Sequence, residues 1–183
     1  MRVGVMADSH DRVPAIAELL RQMAEAGVGL VLHAGDYCSP FALGPFRDLN
    51  MALAGVFGNN DGDREGIKAF AAMGVGGELY ESPHSVELDG KRVLIVHELG
   101  EAGAWSVEHH AVVVHGHSHR KELRTRGGAL ILNPGEACGW LHGTPTAAIL
   151  DLDTMRAEFL ELTGPEWQEG RAGASSPQEE GQG

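Results

Sequence analysis

Nowhere in its 183 residues does the chain hold a run of about 18 apolar residues, which excludes a membrane-spanning helix. Cysteine is scarce: Cys38 and Cys138 stand far apart and form no CxxC pair. A disulfide scaffold is therefore not expected, and both thiols read as small, free, buried or half-buried side chains, with Cys38 close enough to Asp36 to line a cleft. Positive charge is scarce too, with 14 Lys and Arg against 26 Asp and Glu and a net charge of −12. Counterion release needs Lys and Arg, so the balance argues against a protein that coats nucleic acid or a membrane surface. The N-terminal Met1–Asp8 stretch meets a carboxylate too early for a secretory apolar region, so a reducing, cytoplasmic location is expected. No repeat of fixed period is present, and no Pro- or Gly-rich linker divides the body.

What is present is ordinary globular composition, 43% hydrophobic and 22% charged. Such a length suits one domain with a real core. Residues 2–7 read as a buried strand. Ile16, Leu19, Leu20 and Met23 recur at helical spacing over 13–26, with Pro14 near the start and Gly27 at the close. A strand at 30–33, a helix at 41–49, a strand at 51–57 and a helix at 64–73, stopped by Gly74, continue the alternation. That order predicts parallel strands joined by right-handed crossovers. From residue 78 onward the texture changes. Residues 85–96 read as a hairpin around Asp89-Gly90, and 97–110 as helical or irregular. A strand at 111–114, a hairpin at 121–132 and an antiparallel pair at 146–162 complete the body. The domain is expected to span residues 1–163. The Gly-, Ser-, Pro-, Glu- and Gln-rich tail, 164–183, has too little apolar surface to offset its ordering entropy and is expected to be disordered.

The chemistry gathers at strand ends. Asp8-Ser9-His10, Gly35-Asp36 and Gly58-Asn59-Asn60-Asp61 follow the first three strands. Val96-His97 and Gly116-His117-Ser118-His119 follow two later ones. The carboxyl ends of parallel strands share one edge of a sheet, where ligands bind, so these clusters should meet. Pooled, they offer two carboxylates, an amide oxygen and four imidazoles. Donors of nitrogen and oxygen suit Mn, Fe, Zn, Co or Ni. Residues two apart on extended chain project to the same side, and the glycines before Asp36, Asn59 and His117 permit tight turns. His33 and His115 read as packed histidines behind the site.

The ordered set D-x-H, GD, GN-x-D, H, GH-x-H resembles the calcineurin-like metallophosphoesterases, and most of all their small bacterial and archaeal phosphodiesterases. Asn133-Pro134-Gly135 is similar to the family's trailing NPG turn. The resemblance covers about residues 1–162. It implies an α/β fold, a four-layer αββα sandwich with two mixed sheets flanked by helices. It implies two divalent metal ions, manganese first, with iron, zinc, nickel or cobalt also suited. Asp8, His10, Asp36 and His119 would hold one ion. Asp36, Asn59, His97 and His117 would hold the other, with Asp36 as the bridge. A metal-bound hydroxide would attack phosphorus in line, making the protein a metal-dependent phosphodiesterase or phosphatase acting on a small phosphate ester, cyclic nucleotides included.

One departure bears on catalysis. Many relatives carry His after the metal-binding Asn, and here that position is Asn60, whose amide can donate a hydrogen bond but supplies no proton. Slow turnover of esters with poor leaving groups is expected, and Asp61 is expected to orient the Asn60 region or a water. Long nucleic acid is not an expected substrate. The alternative is a non-catalytic scaffold, as in the retromer subunit that shares this fold. Competent side chains at all seven ligand positions favour the enzyme. Oligomeric state stays open, a homo-oligomer among the outcomes.

Overall fold

A computed structural model describes residues 1–164 and Trp167. In chain order the first strands are β1 (Arg2–Met6), β2 (Leu30–His33), β3 (Ala52–Val56) and β4 (Glu78–Tyr80). The next are β5 (His84–Leu88), β6 (Lys91–Ile95), β7 (Val112–Val114), β8 (Lys121–Arg126) and β9 (Ala129–Pro134), followed by β10 (Thr146–Asp151) and β11 (Arg156–Glu161). The helices are α1 (Val13–Glu25), α2 (Gly44–Asp48), α3 (Arg64–Phe70) and α4 (Ala104–Glu108).

Two mixed sheets result. The six-stranded one runs β11-β10-β1-β2-β3-β4, with β1 to β4 parallel and β10 and β11 antiparallel. The five-stranded one runs β5-β6-β7-β9-β8, with β6, β7 and β9 parallel and a hairpin strand at each edge.

The alternation of side chains along each strand builds the layers. Val3, Val5 and Ala7 face Val93, Ile95, Val112 and Val114 of the other sheet, forming the central apolar layer. Met6 and Val31 point the other way, onto Ile16, Leu19, Leu20 and Met23 of α1. Leu94, Val96, Val113 and Ile131 cover the outer face of the second sheet with Val107 of α4. Helix, sheet, sheet, helix is the four-layer sandwich. Gly4 marks how close α1 lies, since a Cβ there would sit 2.6 Å from Met23 Sδ.

Several sequence expectations shift locally. Helix 41–49 is a 3-10 turn, Pro40–Leu43, followed by α2, because Pro45 lacks the N–H that a continuous helix needs there. The helix expected to stop at Gly74 runs on as a π turn, Ala71–Val75, and Gly76 ends it in the left-handed region at φ 67°. Three-residue β4, unforeseen, follows at once. Most of the tail expected to be disordered falls outside the described residues. At Trp167, which is described, the indole is buried with the α1 layer, 4.5 Å from the Arg12 guanidinium. No helix among the described residues is long and apolar enough to cross a membrane.

Candidate metal centre

Because β1, β2, β3, β6, β7 and β9 run parallel to their neighbours, their carboxyl ends open onto one edge. The loops after β1 and β2 are zipped together there. Asp8 N donates to Gly35 O, and Ser9 N and His10 N to Asp36 O, each at 3.0 Å. The loop after β7 joins them when His117 N donates to Asp8 Oδ1 at 3.2 Å. Asn133, fully buried, anchors that loop by donating to Gly116 O at 2.9 Å and Ser118 Oγ at 3.0 Å.

Backbone strain concentrates here. Asp8, His10, Asp36, His117 and His119 all have positive φ, between 39° and 64°. Non-glycine residues avoid this region, and each such residue costs about 1–3 kcal/mol. Gly58 is needed for close approach: a Cβ there would run into Asp36 Oδ1 and lie 2.8 Å from His97 Cε1.

The side chains converge around Asp36. His10 Nε2 lies 3.5 Å from Asp36 Oδ2, and His97 Nε2 lies 3.6 Å from Asp36 Oδ1. His119 Nε2 is 3.7 Å from Asp8 Oδ1. Asn59 Oδ1 sits 2.8 Å from His97 Nε2 and 3.0 Å from His117 Nδ1. All seven residues predicted to bind metal therefore meet at one site, in two groups, with one oxygen of Asp36 turned to each.

Partners behind the rings decide which nitrogen faces inward. His97 Nδ1 donates to Ala34 O at 2.8 Å, and His119 Nδ1 to Glu136 Oε2 at 2.9 Å, leaving Nε2 lone pairs forward. His10 Nδ1 lies 3.2 Å from Cys38 Sγ, so its Nε2 also faces in. Such outer partners fix the orientation and tautomer of a ligating imidazole. Glu136 was not foreseen in the sequence. Its carboxylate, 1% exposed, also accepts from Leu141 N at 3.0 Å and from His142 N. Burial pushes the Glu136 carboxyl up, but these hydrogen bonds outweigh it and hold it below the ordinary value.

Asn60 and Asp61 divide the work of holding Asp36. Asn60 N and Nδ2 donate to its two oxygens, each at 2.8 Å. Asp61 turns to the backbone, accepting from Tyr37 N at 2.6 Å, Gly58 N at 2.7 Å, Cys38 N at 2.9 Å and Asp36 N at 3.1 Å. Behind the site His33 donates to Ser9 Oγ at 3.0 Å, and burial pushes its pKa down to about 3. His115 donates to Glu122 Oε2 at 2.8 Å. The Arg12 guanidinium donates to the Cys138 carbonyl and stacks 4.0 Å from the centre of the Trp140 ring.

A cation fits this donor set. Asp8, Asp36, Asp61 and Glu136 are buried, and none of them pairs with Lys or Arg among the described residues. Asp8 Oδ2 and His10 Nε2 are buried with no hydrogen-bond partner. Burial, then the neighbouring Asp36 charge, pushes the Asp8 carboxyl up to about 8. Buried charge and unpaired acceptors of this kind are what a bound metal ion satisfies.

Residues 1–155 match the sequence pattern of the calcineurin-like phosphoesterase superfamily domain. The phosphodiesterase MJ0936 of Methanocaldococcus jannaschii is 33% identical over 165 residues, covering 88% of this chain and 98% of its own. A solved archaeal phosphodiesterase is 31% identical with a TM-score of 0.78, covering 88% of this chain and 100% of that one. The zinc complex of Vps29 from Entamoeba histolytica shares the fold alone, at 16% identity and a TM-score of 0.64, with 88% of this chain and 99% of that one covered.

Proposed function

This chain belongs to the calcineurin-like phosphoesterase superfamily, and from that premise we propose that it is a dinuclear metal-dependent phosphodiesterase. The observation that carries the reading is the placement of Asp36, whose two oxygens face His10 and His97 at 3.5 and 3.6 Å. A carboxylate so placed suits two cations held side by side. Asp8, His10, Asp36 and His119 would hold one, and Asp36, Asn59, His97 and His117 the other. Bound there, two divalent cations supply a nucleophile at neutral pH and neutralise charge on the phosphate oxygens.

The chain's own residues do the rest. Asn60 clamps both oxygens of Asp36, and Asp61 fixes the turn that carries it. Glu136 and the Ala34 carbonyl orient His119 and His97. Asn60 can hydrogen-bond a substrate oxygen but offers no proton to the leaving group, so activated diesters and strained 2′,3′-cyclic nucleotides suit this site better than alkyl esters. Nitrogen and oxygen donors suit manganese. Free Cys38 and Cys138 suit a reducing cytoplasm.

The test is hydrolysis of bis-p-nitrophenyl phosphate and p-nitrophenyl phosphate side by side, metal-stripped and with added Mn²⁺. The expected result is metal-restored cleavage that favours the diester and collapses in Asp36→Ala. Stoichiometric metal binding without cleavage by any divalent ion would replace the enzyme with a scaffold.

A further inference from the structure

We infer that Cys138 is a protein ligand of the ion held by Asp8, His10 and His119, so that half of the centre is a nitrogen–oxygen–sulfur site that takes zinc in preference to manganese. The inference deepens the dinuclear reading and rests on it.

The first ground is position. One ring nitrogen of His10, one of His119 and Cys138 Sγ lie within 4.8 Å of one another. Zinc bonds of about 2.1 Å to nitrogen and about 2.3 Å to sulfur place two donors of one ion up to about 4.4 Å apart. The sulfur is thus within a small side-chain adjustment of a shared ion. The backbone enforces this position. Ala137 N donates to Ala7 O at 2.9 Å and Cys138 N to Asp8 O at 3.0 Å. The segment after β9 therefore runs alongside the one that presents Asp8, and Cys138 stands beside Asp8 in register.

The second ground is independent of the cysteine. Asp8 is fully buried, and its Oδ2 has no partner; neither does His10 Nε2. His10 shares a donor group with the sulfur, and Asp8 meets that group through His119, whose Nε2 lies 3.7 Å from Asp8 Oδ1.

The surroundings separate this thiol from a packing cysteine. A buried free cysteine ordinarily serves as a small apolar side chain. Cys138, fully buried, has Glu136 Oε2 at 3.4 Å as its hydrogen-bond acceptor, with His10 and His119 beside it. Cys38 supplies the contrast. Its sulfur contacts His10 Nδ1 at 3.2 Å, on the side of the ring away from Asp36, and so supports that ring from behind.

The chemistry follows from donor type. Thiolate selects zinc over manganese, whereas the Asn59, His97 and His117 half offers nitrogen and oxygen alone. On metal binding the S–H bond breaks, its electron pair goes to the ion and the proton leaves to solvent. The two halves would then differ in metal preference.

Cobalt and zinc spectroscopy on the full chain test this. Metal-stripped protein titrated with Co²⁺ should develop a near-ultraviolet thiolate-to-cobalt band together with the visible bands. Cys38→Ser, whose hydroxyl can take the sulfur's place against His10 Nδ1, should keep the thiolate band, and Cys138→Ser should keep only the visible bands. Zinc-edge X-ray absorption of wild-type and Cys38→Ser protein, each loaded with one equivalent, should show one sulfur at about 2.3 Å, a readout that does not depend on Cys138→Ser folding. In equimolar Zn²⁺ and Mn²⁺, Cys138→Ser should lose zinc preference at one site by about 10-fold or more. Visible bands without the thiolate band in wild-type protein, a band that survives Cys138→Ser, or no sulfur at the zinc edge would overturn the inference and leave the dinuclear reading standing. Failure to bind Co²⁺ at all would overturn both.

Discussion

Glu136 Oε2 accepts from His119 Nδ1 at 2.9 Å, and the far nitrogen of that ring stands 3.7 Å from Asp8 Oδ1. A carboxylate behind a ligating imidazole fixes the ring and raises its basicity, so Glu136→Gln should weaken metal binding at that position about 10–100-fold. Chelator competition measures it. Unchanged affinity would mean that packing alone holds His119.

Asp61 holds four backbone N–H groups from two loops with one carboxylate. Asn at this position keeps one acceptor oxygen and turns an NH₂ toward donors. Asp61→Asn should therefore lose about 1–3 kcal/mol of stability, read by denaturant unfolding of the metal-free protein. Turnover should fall with it, because the Asp36 turn loses its anchor. A variant as stable as wild type would show that those N–H groups find other acceptors.

His33 makes the metal-free fold sensitive to acid. Unfolded, its imidazole takes a proton near 6.5; folded, burial keeps it neutral down to about 3. Between those values the unfolded state binds the extra proton, so stability present above pH 6.5 is lost as pH falls toward 3. The full window is worth up to about 5 kcal/mol. Burial lowers His10 and His115 as well, with the same sign. His33→Gln should flatten the dependence of melting temperature on pH across that window. An equally steep profile would assign the acid sensitivity to the other two histidines.

Restoring a proton donor should change which esters are cleaved. Asn60→His should raise turnover of alkyl diesters about 10²-fold or more, because general acid catalysis matters most for poor leaving groups. Aryl diesters, which leave without help, should change little. A uniform effect on both would place the slow step elsewhere.

The sequence made the site more legible than its supports. Asp8, His10, Asp36, Asn59, His97, His117 and His119 announce themselves through chemistry repeated at strand ends, and parallel pairing brings them together. Glu136 could not be found that way. It lies 17 residues from His119 and reaches it only because β9 runs beside β7. Asp61 was visible, but its contact with the Asp36 turn depends on how β2 and β3 pair. Strands made of continuous apolar residues were legible, down to the three valines of β7, whereas β4, Glu78–Tyr80, has one buried residue in three and carries too little pattern to read.

The left-handed backbone at Asp8, His10, Asp36, His117 and His119 sets this site against the rest of the fold. Glycine would adopt each of those angles freely, while removing the side chain the site exists to present. Drift toward greater stability would therefore erode this edge first, exchanging donors for relaxed backbone. A descendant that had lost its chemistry could keep the sandwich, and even gain in melting temperature. In this architecture a durable fold is no witness to a living active site.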